Sequence, residues 1–375
     1  GALFLDGTGV EKDYQKAEKW FTLAANNGVP EAFYSLGVLH EQGTEEQKDA
    51  KKAFNFYKQG ADAGDIPSQT RLASMYFTGV GTNQDVSQAL SWYKKAASQG
   101  GEPAQASLAE IYFNGNGVKQ DYRKAFRWYK KLAAKGNTDA QYALGHLFAN
   151  GLGITKSYRR AVKWYKKAAE NGSSQAQRSL AKIYIEGNMA PRDYSEALRW
   201  FTKSAEQGDI DSQYTLGTLY EKGAGVSKSF KLAAKWYTKA AEQGNAMALY
   251  ALGQMHFNGT GVTKDVQKGI SLYKKAAGGG SLDAQYTLGL LYSKGENVKK
   301  DSSQAVKWYR LAAEKGHASA QFQLGLLYAT GSGIEKNFTK AIEWLDKAAE
   351  QGSPEAKNIL KEFQNMLAPK TPPAS

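Results

Sequence analysis

The residue types that could carry out chemistry are few in this chain of 375 residues. It has four histidines and no cysteine, which excludes disulfides, thiolate chemistry and cysteine-ligated metals. His40 and His256 stand where comparable segments carry tyrosine, so a ring in the core is a better interpretation than a metal ligand. His317 lies in a predicted loop, and His146 has no second ligand at metal spacing. The sequence therefore predicts no metal and no cofactor.

Glycine pairs such as Gly79/Gly81 and Gly259/Gly261 have the outline of a phosphate-binding loop. They follow predicted helices rather than strands, and they lack both the third glycine and the lysine of such loops. No Ser-His-Asp set and no recurring pair of carboxylates stands out in the sequence. We therefore interpret these residues as turn glycines and expect a protein that is not an enzyme.

The elements that position these residues follow from a strict period of 36 residues. Such a period is the signature of a repeat architecture rather than of two or three globular domains. The tryptophans, all separated by one or two periods, are Trp20, Trp92, Trp128, Trp164, Trp200, Trp236, Trp308 and Trp344. A glycine column with no slip comprises Gly28, Gly64, Gly100, Gly136, Gly172, Gly208, Gly244, Gly280, Gly316 and Gly352.

One period, residues 137–172, contains two segments with apolar residues at helical spacing. The first ends at Gly151 and the second at Gly172, where left-handed backbone is easily adopted only by glycine. Each period thus predicts a helix-turn-helix unit. A pair of helices buries too little surface to be stable alone, so stability must come from stacking neighbours.

Two columns of small residues predict where the helices approach each other. The positions equivalent to Gly145 are all Gly or Ala, and those equivalent to Ala161 are Ala or, once, Gly. Small side chains at both positions allow two helices to lie at interaxial distances of about 8–10 Å. We expect the large ring of Trp164 and its equivalents to fill the space that the small residues leave.

The chain resembles the Sel1-like repeat family, relatives of the tetratricopeptide repeat, over residues 1–360. In the unit Ala104–Gly136 the matching positions are Leu108, Ala109, Tyr112, Gly115, Gly117, Val118, Asp121, Lys124, Ala125, Trp128, Tyr129 and Gly136. The resemblance implies an all-α, right-handed superhelical α/α solenoid of helix-turn-helix repeats. The turns at 43–49, 187–191 and 295–298 depart from the motif, and we expect them to differ in shape.

The repeat frame divides the chain into four parts. They are a partial first repeat at 1–28, nine repeats at 29–352, a capping helix at 353–367 and a disordered proline-rich tail at 368–375. Gly1 occupies a position inside a helix of the motif, so we expect the first repeat to have lost the start of its first helix.

A candidate binding surface lies on the first helix of each repeat. Positions two before, two after and five after the Leu144 equivalent cluster opposite the packing side, and resemblance to tetratricopeptide arrays makes them the concave groove. The candidates are Tyr34, Phe77, Phe113, Tyr142, His146, Lys182, Tyr214, Tyr250, Phe257, Tyr286 and Phe322. Packing between repeats and binding are equally good explanations of the tyrosines. Phe77, Phe113 and Phe257 are interpreted as exposed groove residues.

Positive charge is concentrated in residues 119–167, which contain thirteen Lys/Arg and two acids, giving +11 against +13 for the whole chain. On the second helices the cations are Arg123, Lys124, Arg127, Lys130, Lys131, Arg159, Arg160, Lys163, Lys166 and Lys167. A solvated face is the favoured interpretation, and a patch for an acidic protein, anionic glycan or lipid is the alternative. Nucleic acid is not expected, because aromatic residues are not interleaved on that face.

The function predicted is that of a non-catalytic scaffold, a monomer that holds a partner protein or peptide in an aromatic groove. Its alternative is a binder of anionic glycan, lipid or acidic surface through residues 119–167. No apolar run is long enough to span a membrane. Resemblance to bacterial members with roles in envelope processes and host-cell entry favours a periplasmic or secreted location and leaves a cytoplasmic one open.

Overall fold

A computed structural model describes residues 1–43 and 48–367, and in these residues it contains α-helices and turns but no β-strand. The odd-numbered helices are α1 (Ala2–Asp6), α3 (Pro30–Gln42), α5 (Ile66–Thr78), α7 (Glu102–Asn114), α9 (Thr138–Asn150), α11 (Ser174–Glu186), α13 (Ile210–Lys222), α15 (Ala246–Asn258), α17 (Leu282–Lys294), α19 (Ala318–Thr330) and α21 (Pro354–Leu367). The even-numbered helices are α2 (Tyr14–Asn26), α4 (Ala50–Asp62), α6 (Val86–Ser98), α8 (Tyr122–Ala134), α10 (Tyr158–Glu170), α12 (Tyr194–Glu206), α14 (Phe230–Glu242), α16 (Val266–Gly278), α18 (Ser302–Glu314) and α20 (Phe338–Glu350).

The even-numbered helices begin at a capping residue that recurs with the repeat. Asp121, for example, is extended and its carboxylate accepts a hydrogen bond from the backbone N–H of Lys124 at 3.0 Å. Ser157 and Asp193 do the same for α10 and α12. Such a cap satisfies a helix donor that has no partner within the helix and fixes where the helix starts.

Most odd-numbered helices end as the sequence predicts, at a glycine in the left-handed conformation, whereas α3 ends at Gly43, which has φ −64°. Gly151 has φ 69° and its N–H bonds back to the carbonyl of Leu147. The second glycine of the same turn, Gly153, has φ 66°, and a Cβ there would lie 2.7 Å from the backbone nitrogen of Arg123 in the preceding repeat. The turn therefore needs glycine both for its backbone angle and for its close contact with the neighbour.

The three divergent turns have different outcomes. At 295–298 the prediction of a different shape is wrong, because Asn297 adopts φ 59° where other repeats have a left-handed glycine. Asparagine tolerates this conformation better than other residues that carry a side chain. At 187–191, Met189 occupies the same position without a positive φ, so this turn differs as expected. Residues 44–47 of the first divergent turn lie outside the described residues.

The chain forms two compact units, Gly1–Leu180 with Asn188–Pro191, and Ala181–Gly187 with Arg192–Ser375. In the first unit each helix from α1 to α10 packs against the next one, and in the second unit the same holds from α12 to α21. The predicted all-α fold of repeated helix pairs is confirmed. The four-part division of the chain remains a prediction; α21 is a helix at the predicted cap, and 368–375 lie outside the described residues.

The predicted partner of the small residues is wrong. A Cβ on Gly145 would lie 2.6 Å from the ring of Tyr165, so the tyrosine that follows the tryptophan covers the glycine. Gly217 and Tyr237 are related in the same way. Tyr165 is 5% exposed, whereas Trp164 is only half-buried. In this repeat the tyrosine therefore fills the seam between the two helices, and the tryptophan lies nearer the surface.

A column of buried glutamines joins successive repeats. Gln213 donates to the carbonyl of Ala205 at 3.0 Å, and its own side-chain oxygen accepts a hydrogen bond from Gln243 at 2.8 Å. Gln321 repeats the arrangement, with Ala313 as acceptor and Gln351 as donor. These bonds satisfy the last carbonyls of one even-numbered helix and tie the next even-numbered helix to it.

Candidate functional site

The tyrosines of the predicted groove are half-buried, and each packs against the tyrosine of the second helix in its own repeat. Ring centroids lie 5.5–5.8 Å apart. The pairs are Tyr34–Tyr57, Tyr142–Tyr165, Tyr214–Tyr237, Tyr250–Tyr273 and Tyr286–Tyr309. One face of each ring thus contributes to packing within the repeat, and the remainder of the ring reaches the surface. We call the surface of α13, α15 and α17 on which Tyr214, Tyr250 and Tyr286 lie, all in the second unit, the odd-helix face.

The predicted groove residues form two groups, one in each compact unit. The first unit contains Tyr34, Phe77, Phe113, Tyr142 and His146. The second contains Lys182, Tyr214, Tyr250, Phe257, Tyr286 and Phe322. Lys182 is exposed and the other ten are half-buried.

Phe77, Phe113 and Phe257 are less exposed than the sequence interpretation implied. Phe113 lies against Tyr129 and Phe257 against Tyr273, with ring centroids 6.2 Å and 6.0 Å apart. These positions are next to the buried tyrosine of the same repeat, which explains their partial burial. Burial also raises the pKa of Tyr129 to about 12.

His146 packs edge-on against Phe113, with ring centroids 5.9 Å apart. Its Nδ1 atom is buried and has no hydrogen-bond partner in the described structure. Desolvation lowers the pKa of this histidine, because the charged form loses water that no neighbour replaces.

Polar groups surround the tyrosines of the odd-helix face in the second unit. The hydroxyl of Tyr237 donates to the carboxylate of Glu221 at 2.7 Å. The hydroxyl of Tyr250 accepts a hydrogen bond from Gln254 at 3.1 Å and lies 3.1 Å from the hydroxyl of Thr287. Aromatic rings and fixed polar groups therefore alternate on this surface.

A depression of about 250 Å³ opens between α13 and α15 on the same face. Its lining combines the rings of Tyr214 and Tyr250, the carboxylate of Glu221 and the side chain of Met247. Met247 is 55% exposed, so its thioether side chain is accessible to a ligand. The depression thus offers an apolar contact next to charged and hydrogen-bonding groups.

All ten cations of the predicted basic patch are exposed on α8 and α10. Within the described residues only Lys124 of this set forms an ion pair, with Asp121 at 3.1 Å. The remaining cations are therefore not neutralised by nearby carboxylates. We call the surface formed by α6, α8 and α10 the basic even-helix face.

Two depressions lie on this basic face. The first, about 790 Å³, is lined by Tyr112, Phe126 and Trp128 together with lysine and arginine side chains. The second, about 330 Å³, is lined by Phe126, Phe148 and Trp164 and by further cations. The expectation that aromatic residues are not interleaved with these cations is wrong.

The aromatic rings are covered by cations of the same face. The Lys131 Nζ lies 4.4 Å from the ring centroid of Trp128, and the Lys167 Nζ lies 5.1 Å from that of Trp164. The residue three positions after most tryptophans is lysine, one helical turn away, so this pairing follows from helix geometry. The lysine stems add apolar surface to the depressions.

Two of the other three histidines, His40 and His317, contact protein groups of a different kind. His40 is buried and stacks on Phe56, and its Nε2 lies 3.2 Å from a carboxylate oxygen of Glu18. His317 caps α19 through its Nδ1 and stacks on Tyr286. Among the described residues, no cluster of three or more His, Asp or Glu has metal-binding geometry, and no helix is long and apolar enough to cross a membrane.

The repeated helix pair defines the chain as a member of the class of α/α solenoid proteins. A family model, the Sel1 repeat, matches it ten times, at residues 1–29, 30–65, 66–101, 102–137, 138–173, 174–209, 210–245, 246–281, 282–317 and 318–353. The chain belongs to the Sel1 repeat family. Proteins of this family generally act as non-catalytic scaffolds for protein interactions.

Two solved structures are similar over most of the chain. One is c5321, a protective antigen present in uropathogenic Escherichia coli strains, with 36% identity and a TM-score of 0.78 over 96% of this chain and 78% of that one. The other is a Sel1 repeat protein from Oxalobacter formigenes, with 32% identity and a TM-score of 0.70 over 88% of this chain and 93% of that one. No curated protein shows significant similarity to the chain.

Two groups of residues that line these depressions were not predicted from the sequence. Met247 falls outside the columns used to choose the groove, although its place in the first turn of an odd helix was readable from the repeat frame. Tyr112, Phe126 and Phe148 belong to apolar columns of the repeat, so their place in the lining of the basic depressions had no sequence signal.

Proposed function

We propose that this protein is a non-catalytic scaffold that binds a partner protein on the odd-helix face, with a contact centre in the depression between α13 and α15. The observation that carries the proposal is the exposed Met247 beside the half-buried rings of Tyr214 and Tyr250. Aromatic residues and methionine are enriched in protein interfaces, because they give large contact areas.

The chemistry of the depression favours a peptide segment over a small molecule. Glu221 and Gln254 are already oriented by hydrogen bonds to tyrosine hydroxyls, so a ligand meets polar groups in fixed positions. Tyrosine contributes contact area at a small cost in conformational entropy. The depression of about 250 Å³ suits one or two side chains of a longer segment that continues along the face.

Site-specific photo-crosslinking tests the proposal. A photoreactive phenylalanine analogue in place of Met247 should capture a discrete partner protein, and excess wild-type protein should compete with the capture. The matched control carries the same group in place of Lys231, an exposed residue of α14. Capture of the same proteins from both positions, or capture that the wild type does not compete, would contradict a site on the odd-helix face.

The setting of this interaction is proposed from similarity alone. The relative of 36% identity is described as a protective antigen of uropathogenic strains, and we propose that this chain likewise acts in the bacterial envelope or in contact with host cells. Purified protein should then bind to intact animal cells, and Met247→Glu should reduce that binding. Equal binding by both proteins would contradict the proposal.

A further inference from the structure

We propose that the basic even-helix face holds an acidic peptide segment of a partner protein, with apolar side chains in its two depressions and carboxylates against the surrounding lysines and arginines. The depressions are formed by residues of the first unit between Lys94 and Lys167. The depression proposed as a partner site on the odd-helix face is formed by residues of the second unit, so the present proposal uses different residues and does not depend on it.

The first reason for this proposal is the positive charge of the basic even-helix face, which nearby carboxylates do not neutralise. Residues 119–167 contain only two acids, Asp121 and Asp139. Asp121 caps the start of α8, where it accepts a backbone hydrogen bond and forms an ion pair with Lys124. Lys130 and Lys163, which line the second depression, form no ion pair with any carboxylate in the described residues. A ligand with several carboxylates would supply the missing charges.

The second reason is that aromatic rings form apolar floors in both depressions. Phe126 lines both depressions, so they adjoin and could hold two side chains of one segment. Phe126 and Phe148 meet edge to face, with ring centroids 5.7 Å apart, which gives the second depression a fixed aromatic wall. A polyanion without apolar groups would make no apolar contact with these aromatic floors.

The geometry of the rings disfavours nucleic acid. Base stacking needs an open ring face, and the faces of Trp128 and Trp164 lie under Lys131 and Lys167. It also disfavours a bilayer, because membrane insertion needs apolar side chains that protrude. Here the rings are buried or half-buried and line recesses. Recesses for separate side chains beside charged groups are typical of peptide recognition.

The chain itself offers a matched control in α14. Lys231, Lys235 and Lys239 stand three repeats after Arg123, Arg127 and Lys131, at identical positions of the motif. In place of Phe126, however, α14 has the buried Ala234. This control helix keeps three of the charges and lacks the aromatic ring that the two depressions share.

The experiment measures binding of a fluorescein-labelled peptide of alternating glutamate and leucine to the full chain by fluorescence anisotropy. Charge reversal in the variant Arg127→Glu/Lys130→Glu/Lys131→Glu should weaken binding at least about tenfold. Phe126→Leu, which introduces the residue found at the equivalent positions 90 and 198, should weaken it about threefold through lost apolar contact. Lys231→Glu/Lys235→Glu/Lys239→Glu should leave the affinity unchanged, and thermal melting of each variant verifies folding.

Three results would overturn the proposal. The first is an equal loss of affinity in the patch variant and in the α14 control variant, which would indicate general attraction to positive charge. The second is unchanged affinity in Phe126→Leu together with equal binding of poly-glutamate, which would remove the role of the apolar floors. The third is tighter binding of oligodeoxythymidylate or phosphatidylglycerol vesicles than of the peptide, which would assign the face to another class of ligand.

Discussion

Gln213 and Gln321 show how a single buried side chain can connect repeats: each amide donates to one even-numbered helix and accepts from the next. The sequence carries this column at constant spacing, but spacing alone does not reveal which carbonyl or amide lies opposite. Gln285 occupies the same position, and its side-chain oxygen is buried without a partner in the described structure. The residue that should donate to it, thirty positions later, is Lys315.

Replacing Lys315 by glutamine should therefore stabilise the protein. The new amide can donate to the buried oxygen of Gln285, and a buried acceptor that gains its bond contributes about 1 kcal/mol. Urea unfolding measures the change in the free energy of unfolding. The control Lys315→Leu removes the same charge and supplies no donor. If both variants have the same stability, the missing bond is not the reason.

His146 should make stability depend on pH. Its pKa is lowered in the folded protein by desolvation, so the unfolded chain binds more protons as pH falls from about 7 to about 5. Stability must then decrease over that interval. His146→Leu, which introduces the residue found at the equivalent positions 290 and 326, should lose less stability than the wild type between these pH values. Parallel curves of unfolding free energy against pH would contradict the assignment.

At the scale of the element, the repeat is a pair of helices held together by a small residue under a tyrosine. The columns of Gly145 and Ala161 predicted a close approach correctly, because only small residues occur there. They did not identify the ring that covers the small residues, which is Tyr165 and not the predicted Trp164. Adjacent residues of a helix point in directions that differ by 100°. Only one of two adjacent aromatic residues can therefore point into the seam, and a column of identical tryptophans does not reveal which one does. The two basic depressions escaped prediction for the same reason.

Enlarging Gly145 should separate the helices of its repeat. In Gly145→Val the side chain would meet the ring of Tyr165, and we expect a loss of about 2 kcal/mol of stability from overpacking. Ala143→Val places the same side chain elsewhere on α9 and should cost about 0.5 kcal/mol through helix propensity. Chemical denaturation compares the two variants. Similar losses would show that the β-branched side chain, and not the contact with tyrosine, causes the effect.

At the scale of the whole molecule, stability in a repeat protein is a sum of terms between neighbours. The sequence alone allowed the all-α class and the repeat frame to be predicted, since every period repeats the same signals. It did not allow the residues of the two proposed binding surfaces to be predicted with the same success. Those surfaces depend on positions that vary from repeat to repeat, such as Met247 and Phe126, and their exposure is decided by neighbouring helices.

Local coupling gives a prediction at this scale. Gly145→Val should increase amide hydrogen exchange in α8, α9 and α10, because these helices share the altered contacts. Exchange in α16 to α20 should stay as in the wild type. Mass spectrometry of exchanged peptides measures both regions in one experiment. Equal loss of protection along the chain would contradict the nearest-neighbour description.

The affinity of the captured partner shows whether the odd-helix face of the second unit holds a partner protein, as we propose. Titration calorimetry compares the wild type with Met247→Glu/Gln254→Glu and with the control Lys231→Glu/Lys235→Glu, all exposed positions of the second unit. The first variant should bind at least about tenfold more weakly, a loss of about 1.4 kcal/mol, and the control should bind as the wild type does. An unchanged affinity in the first variant, or an equal loss in both, would contradict the proposal.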